Sequence, residues 1–153
     1  MNRRSFCAAA SGATLGFGLP AFAQDARRRV AVIGSTGRGN FGHGLDTVWL
    51  RIPETEIVGV ADGNKEGLNK ELKKLKLAQE PGYTDYATML GEVRPEFVTV
   101  SPRHADLHRD MALAAIEAGV KGVYVEKPFV RTPGEADELI AACEKHGARI
   151  AVA

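Results

Sequence analysis

Short apolar runs, each closed by a small or acidic residue, constrain this chain more than any other feature. Val30-Ala31-Val32-Ile33 ends at Gly34, and Ile57-Val58-Gly59-Val60-Ala61 ends at Asp62. Phe97-Val98-Thr99-Val100 ends at Ser101, and Val123-Tyr124-Val125 ends at Glu126. A continuous β-branched run without alternation suits a strand buried on both faces, as in a parallel sheet. Helical spacing fills the intervals. Phe41, Leu45, Val48 and Trp49 predict a helix closed by Pro53, and Leu68, Leu72 and Leu75 predict a second. Met111, Ala112, Ala115 and Ile116 predict a third, which stops at Gly119. The fourth has an N-cap at Thr132, Pro133 at the first helical position, Glu135 three residues after the cap, and Gly147 as its stop. Ala136, Leu139, Ile140 and Cys143 share one face of it, which makes Cys143 a core residue. Arg149-Ile150-Ala151-Val152 opens a fifth strand. Strands alternating with helices at this spacing predict an α/β fold with a doubly wound parallel sheet.

Composition sets the scale. The 153 residues, 44% hydrophobic, supply one core and not two. Lys and Arg together number 20 and Asp and Glu 19, so no basic excess points to a nucleic-acid partner. The N-terminal segment stands apart. Arg3-Arg4 open it, a weakly apolar run from Cys7 to Leu19 follows, Pro20 breaks the run, and Ala21-Phe22-Ala23 forms a cleavage site. Asn2-Arg3-Arg4-Ser5-Phe6 resembles the twin-arginine motif, so residues 1–23 are expected to be a signal peptide. The expected location is therefore periplasmic or otherwise exported, with the twin-arginine machinery as a partner. Residues 24–28 form a short leader, and 29–153 the folded domain. Without residues 1–23 the basic count falls by two to 18 against 19 acids, and Cys143 is the one cysteine left.

The segment Gly34-Ser35-Thr36-Gly37-Arg38-Gly39 joins the first strand to the next element. Glycines there permit a tight turn and a close approach of pyrophosphate to backbone N–H groups, and Arg38 adds a charge for phosphate. Thr36 stands where the dinucleotide fingerprint has its second glycine. Asn40-Phe41 occupy the place of the Lys-Ser/Thr pair of a Walker loop, which excludes that motif. Asp62 ends the second strand at the offset where a carboxylate meets the adenosine ribose. An acid there repels a 2′-phosphate, so NAD is favoured, with NADP left open as the second cofactor. His104 and His108 are spaced as two ligands on one helical face, but no third ligand accompanies them; capping or cofactor-side contacts are the better reading, and no metal is assigned.

The whole order resembles the glucose–fructose oxidoreductase, inositol dehydrogenase and MocA (Gfo/Idh/MocA) family. The matching pieces are the Gly34–Gly39 loop, Asp62, Ser101-Pro102-Arg103, His108 ahead of Ala118-Gly119, and Glu126-Lys127-Pro128. The resemblance implies a Rossmann-type domain that binds a nicotinamide cofactor along Gly34, Thr36, Gly37, Arg38 and Gly39, with Asp62 on the ribose. Ser101 and Pro102 stand in the family's T-P-N step, with Arg103 in place of the asparagine; His108 belongs to the same cofactor edge. Glu126 is placed beside the nicotinamide. Lys127 would polarise the reacting hydroxyl or carbonyl of a sugar or polyol, and the Lys127-Pro128 bond is expected to be cis. In the family a second α/β domain follows, with the substrate pocket, the oligomer surface and a proton acceptor. The chain therefore reads as a fragment truncated before that domain, with a homo-oligomer expected only where it is present. Two other readings stand beside the oxidoreductase: an NAD-dependent glycosidase of the same superfamily, and a noncatalytic dinucleotide-binding module.

Overall fold

The computed structural model describes residues 27–77 and 82–153; the expected signal peptide lies outside them. Six parallel strands form one sheet: β1 (Arg28–Ile33), β2 (Thr55–Ala61), β3 (Gly82–Tyr83), β4 (Phe97–Val100), β5 (Gly122–Val125) and β6 (Arg149–Val152). Four helices connect them: α1 (Lys65–Lys74), α2 (Tyr86–Val93), α3 (His108–Glu117) and α4 (Pro133–His146). The spatial order is β3-β2-β1-β4-β5-β6. This is the Rossmann-type α/β fold, and the order reverses between β1 and β4, where such sheets bind ligands at their carboxyl ends.

The two faces of β1 explain its unbroken apolar run. Ala31 and Ile33 enter one core with Met89 and Leu90 of α2, Met111, Ala112 and Ile116 of α3, and Leu139 of α4. Val32 enters the other, with Val60, Phe41 and the α1 leucines Leu68 and Leu72, and Leu75 just beyond them. Each such side chain, fully buried, contributes about 1.5–3 kcal/mol of transfer free energy. Caps are local chemistry of the same kind. Thr132 Oγ1 accepts from Glu135 N at 3.2 Å, and Gly147 ends α4 at φ 69°. Cys143 is free and half-buried, and burial pushes its thiol up. Among the described residues no helix is long and apolar enough to cross a membrane.

Three expectations need correction. Strand β1 includes Arg28, one residue before the expected domain start. The helix expected from Phe41 to Pro53 is a series of turns ending in a short 3-10 helix, Val48–Arg51. Gly39, Gly42 and Gly44 lie at φ 95°, 67° and 96°, and Asn40 at 53°, which breaks a right-handed helix before it can start. The apolar spacing is real but serves other contacts. Phe41 lies on Gly34, whose added Cβ would meet Phe41 Cδ1 at 2.5 Å, and Trp49 Nε1 donates to Thr99 Oγ1 at 2.7 Å. Finally, β3 and α2 stand where no element was expected; Asp85 caps α2 by accepting from Thr88 N at 2.7 Å.

A buried charge cluster ties those turns to α1. Lys74 Nζ donates to Asp46, whose side chain is fully buried, and lies 3.3 Å from Glu71 Oε1. Burial, then the hydrogen bond and charge of Asp46, push Glu71 up to about 8. Burial opposes ionisation of Asp46 as well, but hydrogen bonds with Glu71 and Lys74 hold it below the usual range. A raised folded-state pKa stabilises the protonated form, so the Glu71 contribution is complete below its ordinary value and is lost as pH rises through about 8. Thermal midpoints of the wild type are therefore expected to fall between about pH 5 and 8, by about 5 °C more than those of Glu71→Gln. Circular dichroism melts across that range check this; equal slopes for the two proteins would refute it.

Candidate functional site

Four segments meet at the carboxyl edge of the sheet. They are the loop after β1, Asp62 after β2, residues 101–103 after β4, and residues 126–128 after β5. The loop folds on itself. Ser35 and Asn40 form an isolated bridge, with Ser35 N donating to Asn40 O at 3.0 Å and Asn40 N to Ser35 O at 2.9 Å. Gly34 N donates to Ala61 O, Gly37 N to Asn40 Oδ1, and Arg38 N to Ser35 O. The amides of Gly39 and Phe41 carry no such bond among the described residues. Arg38 is half-exposed and pairs with Asp106.

Gly39 is where the loop touches the segment after β4. A Cβ there would overlap Arg103 N and lie 2.8 Å from Arg103 Cα. Arg103 Nε donates to Gly39 O at 3.3 Å, so this arginine clasps the loop. Ser101 and Pro102 are buried, and the Ser101 hydroxyl has no hydrogen-bond partner among the described residues.

Asp62 is only 2% exposed. It accepts from Thr36 N at 2.9 Å, Thr36 Oγ1 at 2.6 Å and Asn64 N at 2.8 Å. Beside it lies a cleft of about 220 Å³ between the β1 and β2 ends, lined in part by Gly34, Ser35, Asp62, Asp85 and Tyr86 and by no Lys or Arg. Hydrogen bonds from the backbone and side chain of Thr88 hold Asp85 below the usual carboxylate range.

The β5 end carries a residue to which no role was assigned from sequence, His43. Glu126 Oε2 accepts from His43 N at 2.9 Å and from its Nδ1 at 3.2 Å, while Glu126 Oε1 accepts from Lys127 N at 3.1 Å. The carboxylate is 1% exposed and the imidazole 52%. Burial works to raise Glu126, but the His43 amide and ring and the Lys127 amide outweigh it and hold the group below its ordinary value. Gly42 makes the approach feasible, since a Cβ there would lie 2.5 Å from both Glu126 Oε2 and Ser101 O. No local signal marks His43, because its partner is distant in sequence. Lys127 is exposed, its ammonium free of partners among the described residues, and the Lys127-Pro128 bond is cis.

His108 does not open onto this edge. It is fully buried, with Nε2 2.5 Å from Pro102 O and Nδ1 3.0 Å from both Pro128 O and Phe129 O. Its ring bridges the segments that follow β4 and β5.

These residues fit a dinucleotide on three observations: a Ser101 hydroxyl and two loop amides without partners among the described residues, and an acid-lined cleft beside Asp62. Comparison with known proteins agrees. Residues 28–153 match the model of an oxidoreductase family described as having an NAD-binding Rossmann fold. A D-apiose dehydrogenase from Paraburkholderia graminis is 32% identical over 116 residues, which cover 76% of this chain and 30% of that protein. An NAD-binding oxidoreductase from Klebsiella pneumoniae superposes with a TM-score of 0.69 at 26% identity, over 84% of this chain and 34% of that one. GenD2 from gentamicin A biosynthesis, solved in complex with NAD, gives 0.70 at 28% identity, over 82% and 34%. The chain thus spans about a third of the length of these relatives.

Proposed function

The chain belongs to the Gfo/Idh/MocA oxidoreductase family as its NAD-binding Rossmann domain, and from that premise we propose that it is the cofactor lobe of an enzyme moving hydride to or from a carbinol carbon of a sugar or polyol. The observation that carries this is the convergence of an exposed Lys127, unpartnered among the described residues, with the loop, Asp62 and Ser101 on one sheet edge. In this reading the Gly39 and Phe41 amides take the pyrophosphate, Asp62 the adenosine ribose, and the Ser101 hydroxyl a polar group near the nicotinamide end. NAD, when bound, supplies the hydride chemistry itself. Lys127 holds a positive charge near the substrate oxygen, where negative charge grows as the carbinol proton leaves. The name of the D-apiose dehydrogenase relative supports a sugar-type substrate. Export by Met1–Ala23 belongs to the same proposal, and mass spectrometry of the secreted chain is expected to find Gln24 at its start.

Titration of the chain with NADH, followed by nicotinamide fluorescence, is expected to saturate below millimolar cofactor. Absence of saturable binding would refute the reading. Lys127→Ala is expected to leave NADH affinity near that of the wild type. It should lower the rate on sugars and polyols by about a hundredfold or more in the protein that carries this lobe. Unchanged turnover would remove Lys127 from the chemistry.

A further inference from the structure

The Asp62 carboxylate, which the adenosine ribose is expected to reach, already accepts from three donors of the chain itself. A carboxylate offers about four acceptor sites. Thr36 N spans both oxygens at 2.9 and 3.2 Å, Asn64 N takes Oδ1 at 2.8 Å, and Thr36 Oγ1 takes Oδ2 at 2.6 Å. Two of the three donors are peptide amides, fixed by the loop and by the turn into α1. The third is a hydroxyl that leaves by rotation about one side-chain bond. A ribose diol brings two O–H donors of its own, so the hydroxyl is the group it can replace without unfolding anything.

The seat of Thr36 is specific. Gly67, in the first turn of α1, is a weak helix former. A Cβ there would overlap Thr36 Oγ1 and lie 2.6 Å from Thr36 Cβ, so the glycine leaves a notch that the threonine side chain fills. Asn64 links the two, since its backbone N–H reaches Asp62 and its side chain accepts from Gly67 N at 2.9 Å. Thr36, Asp62, Asn64 and Gly67 therefore form one knot at the ribose end of the cleft. Asp62 is the member of the knot that the ribose would reach, and the other three hold it in place.

We infer that the Thr36 hydroxyl stands in for the ribose until the cofactor arrives: the adenosine diol displaces it from Asp62 Oδ2, and Thr36 thereby sets both the affinity for NAD and the margin over NADP. This rests on the NAD reading above. A 2′-phosphate leaves only the 3′-hydroxyl to donate in exchange and brings its charge against Asp62 and Asp85, so NADP gains too little at the carboxylate to displace the hydroxyl. Removing the hydroxyl should therefore help NAD alone. The free chain keeps a buried carboxylate satisfied at the expense of cofactor affinity.

The test is fluorescence titration of the chain with NADH and NADPH, using wild type, Thr36→Val and Thr36→Ser. Thr36→Val keeps the shape that fills the Gly67 notch and deletes the donor. It is expected to bind NADH about tenfold more tightly, the value of roughly one hydrogen bond to a charged group, and NADPH as the wild type does. Thr36→Ser, which keeps the hydroxyl, should match the wild type with both. A folded Thr36→Val with unchanged or weaker NADH affinity, or with equal gains for both cofactors, overturns the inference. Wild-type protein carries a second arm that no folding defect can blur. The Thr36 methyl signal, observed by NMR with labelled threonine, should shift on saturation with ADP-ribose and hold its position with the 2′-phosphorylated analogue. A methyl signal unmoved by bound ADP-ribose overturns the inference alone, whereas a wild-type chain that binds neither NADH nor ADP-ribose overturns the NAD reading with it.

Discussion

Gly39→Ala is expected to destabilise the chain by about 2–4 kcal/mol and to weaken NADH binding by about tenfold or more, while Gly37→Ala does much less. The contrast follows from geometry. Both glycines have positive φ, 95° at Gly39 and 86° at Gly37, so an L side chain is strained at either. At Gly37 nothing lies within 4 Å of the added Cβ, and the cost is conformational strain alone, about 1–2 kcal/mol. At Gly39 the same atom overlaps the backbone of Arg103, which has no flexible end to swing aside. The loop and the 101–103 segment must separate, which breaks the Arg103 bond to Gly39 O. Melting curves and NADH titrations of the two variants check this. Equal behaviour would mean that contact between the two segments does not shape the cofactor edge.

What could be read from sequence divides along the range of the interactions. Strands buried on both faces announce themselves, because every residue of Val30–Ile33 or Phe97–Val100 is apolar or small whichever way it points. Helix α4 was legible to the residue, because Thr132, Pro133, Glu135 and Gly147 act within one turn of its ends. The 41–53 segment misled for the converse reason. Phe41, Leu45, Val48 and Trp49 have helical spacing, but their partners include Gly34 and Thr99 on other elements, and the glycines between them adopt left-handed backbone. Helix α2 leaves no periodic signal because it is eight residues long and buries only Met89 and Leu90, too few positions to define a period. At the site, Asp62 and Lys127 stand at strand ends where the sequence places them. The Thr36–Gly67 notch and the His43–Glu126 pair join residues far apart along the chain, and no local pattern encodes such a match.

The pair at the β5 end yields the other large effect. Glu126→Ala is expected to lower stability by about 3 kcal/mol and to weaken NADH binding, with Glu126→Gln intermediate in both. Truncation leaves the His43 and Lys127 amides without their acceptor and opens a cavity where the buried carboxylate stood. The turn at Gly42-His43 then loses its tie to the sheet edge, and Lys127 loses the bond that fixes its backbone. Glutamine restores one acceptor oxygen but turns an NH2 toward the second amide, so it repairs half of the damage. The charge adds a pH signature. A carboxylate held below its ordinary pKa stabilises the fold fully above that value, and the contribution is lost as pH falls through the lower folded-state value. Wild type should therefore lose thermal stability more steeply than Glu126→Gln below about pH 4.5. Melts of the three proteins from pH 7 down to that range decide the matter. A Glu126→Ala chain that melts with the wild type at neutral pH would show that the Gly42-His43 turn is held by the loop hairpin alone. His43 would then be a passenger on that turn, with no imidazole positioned at the cofactor edge by Glu126.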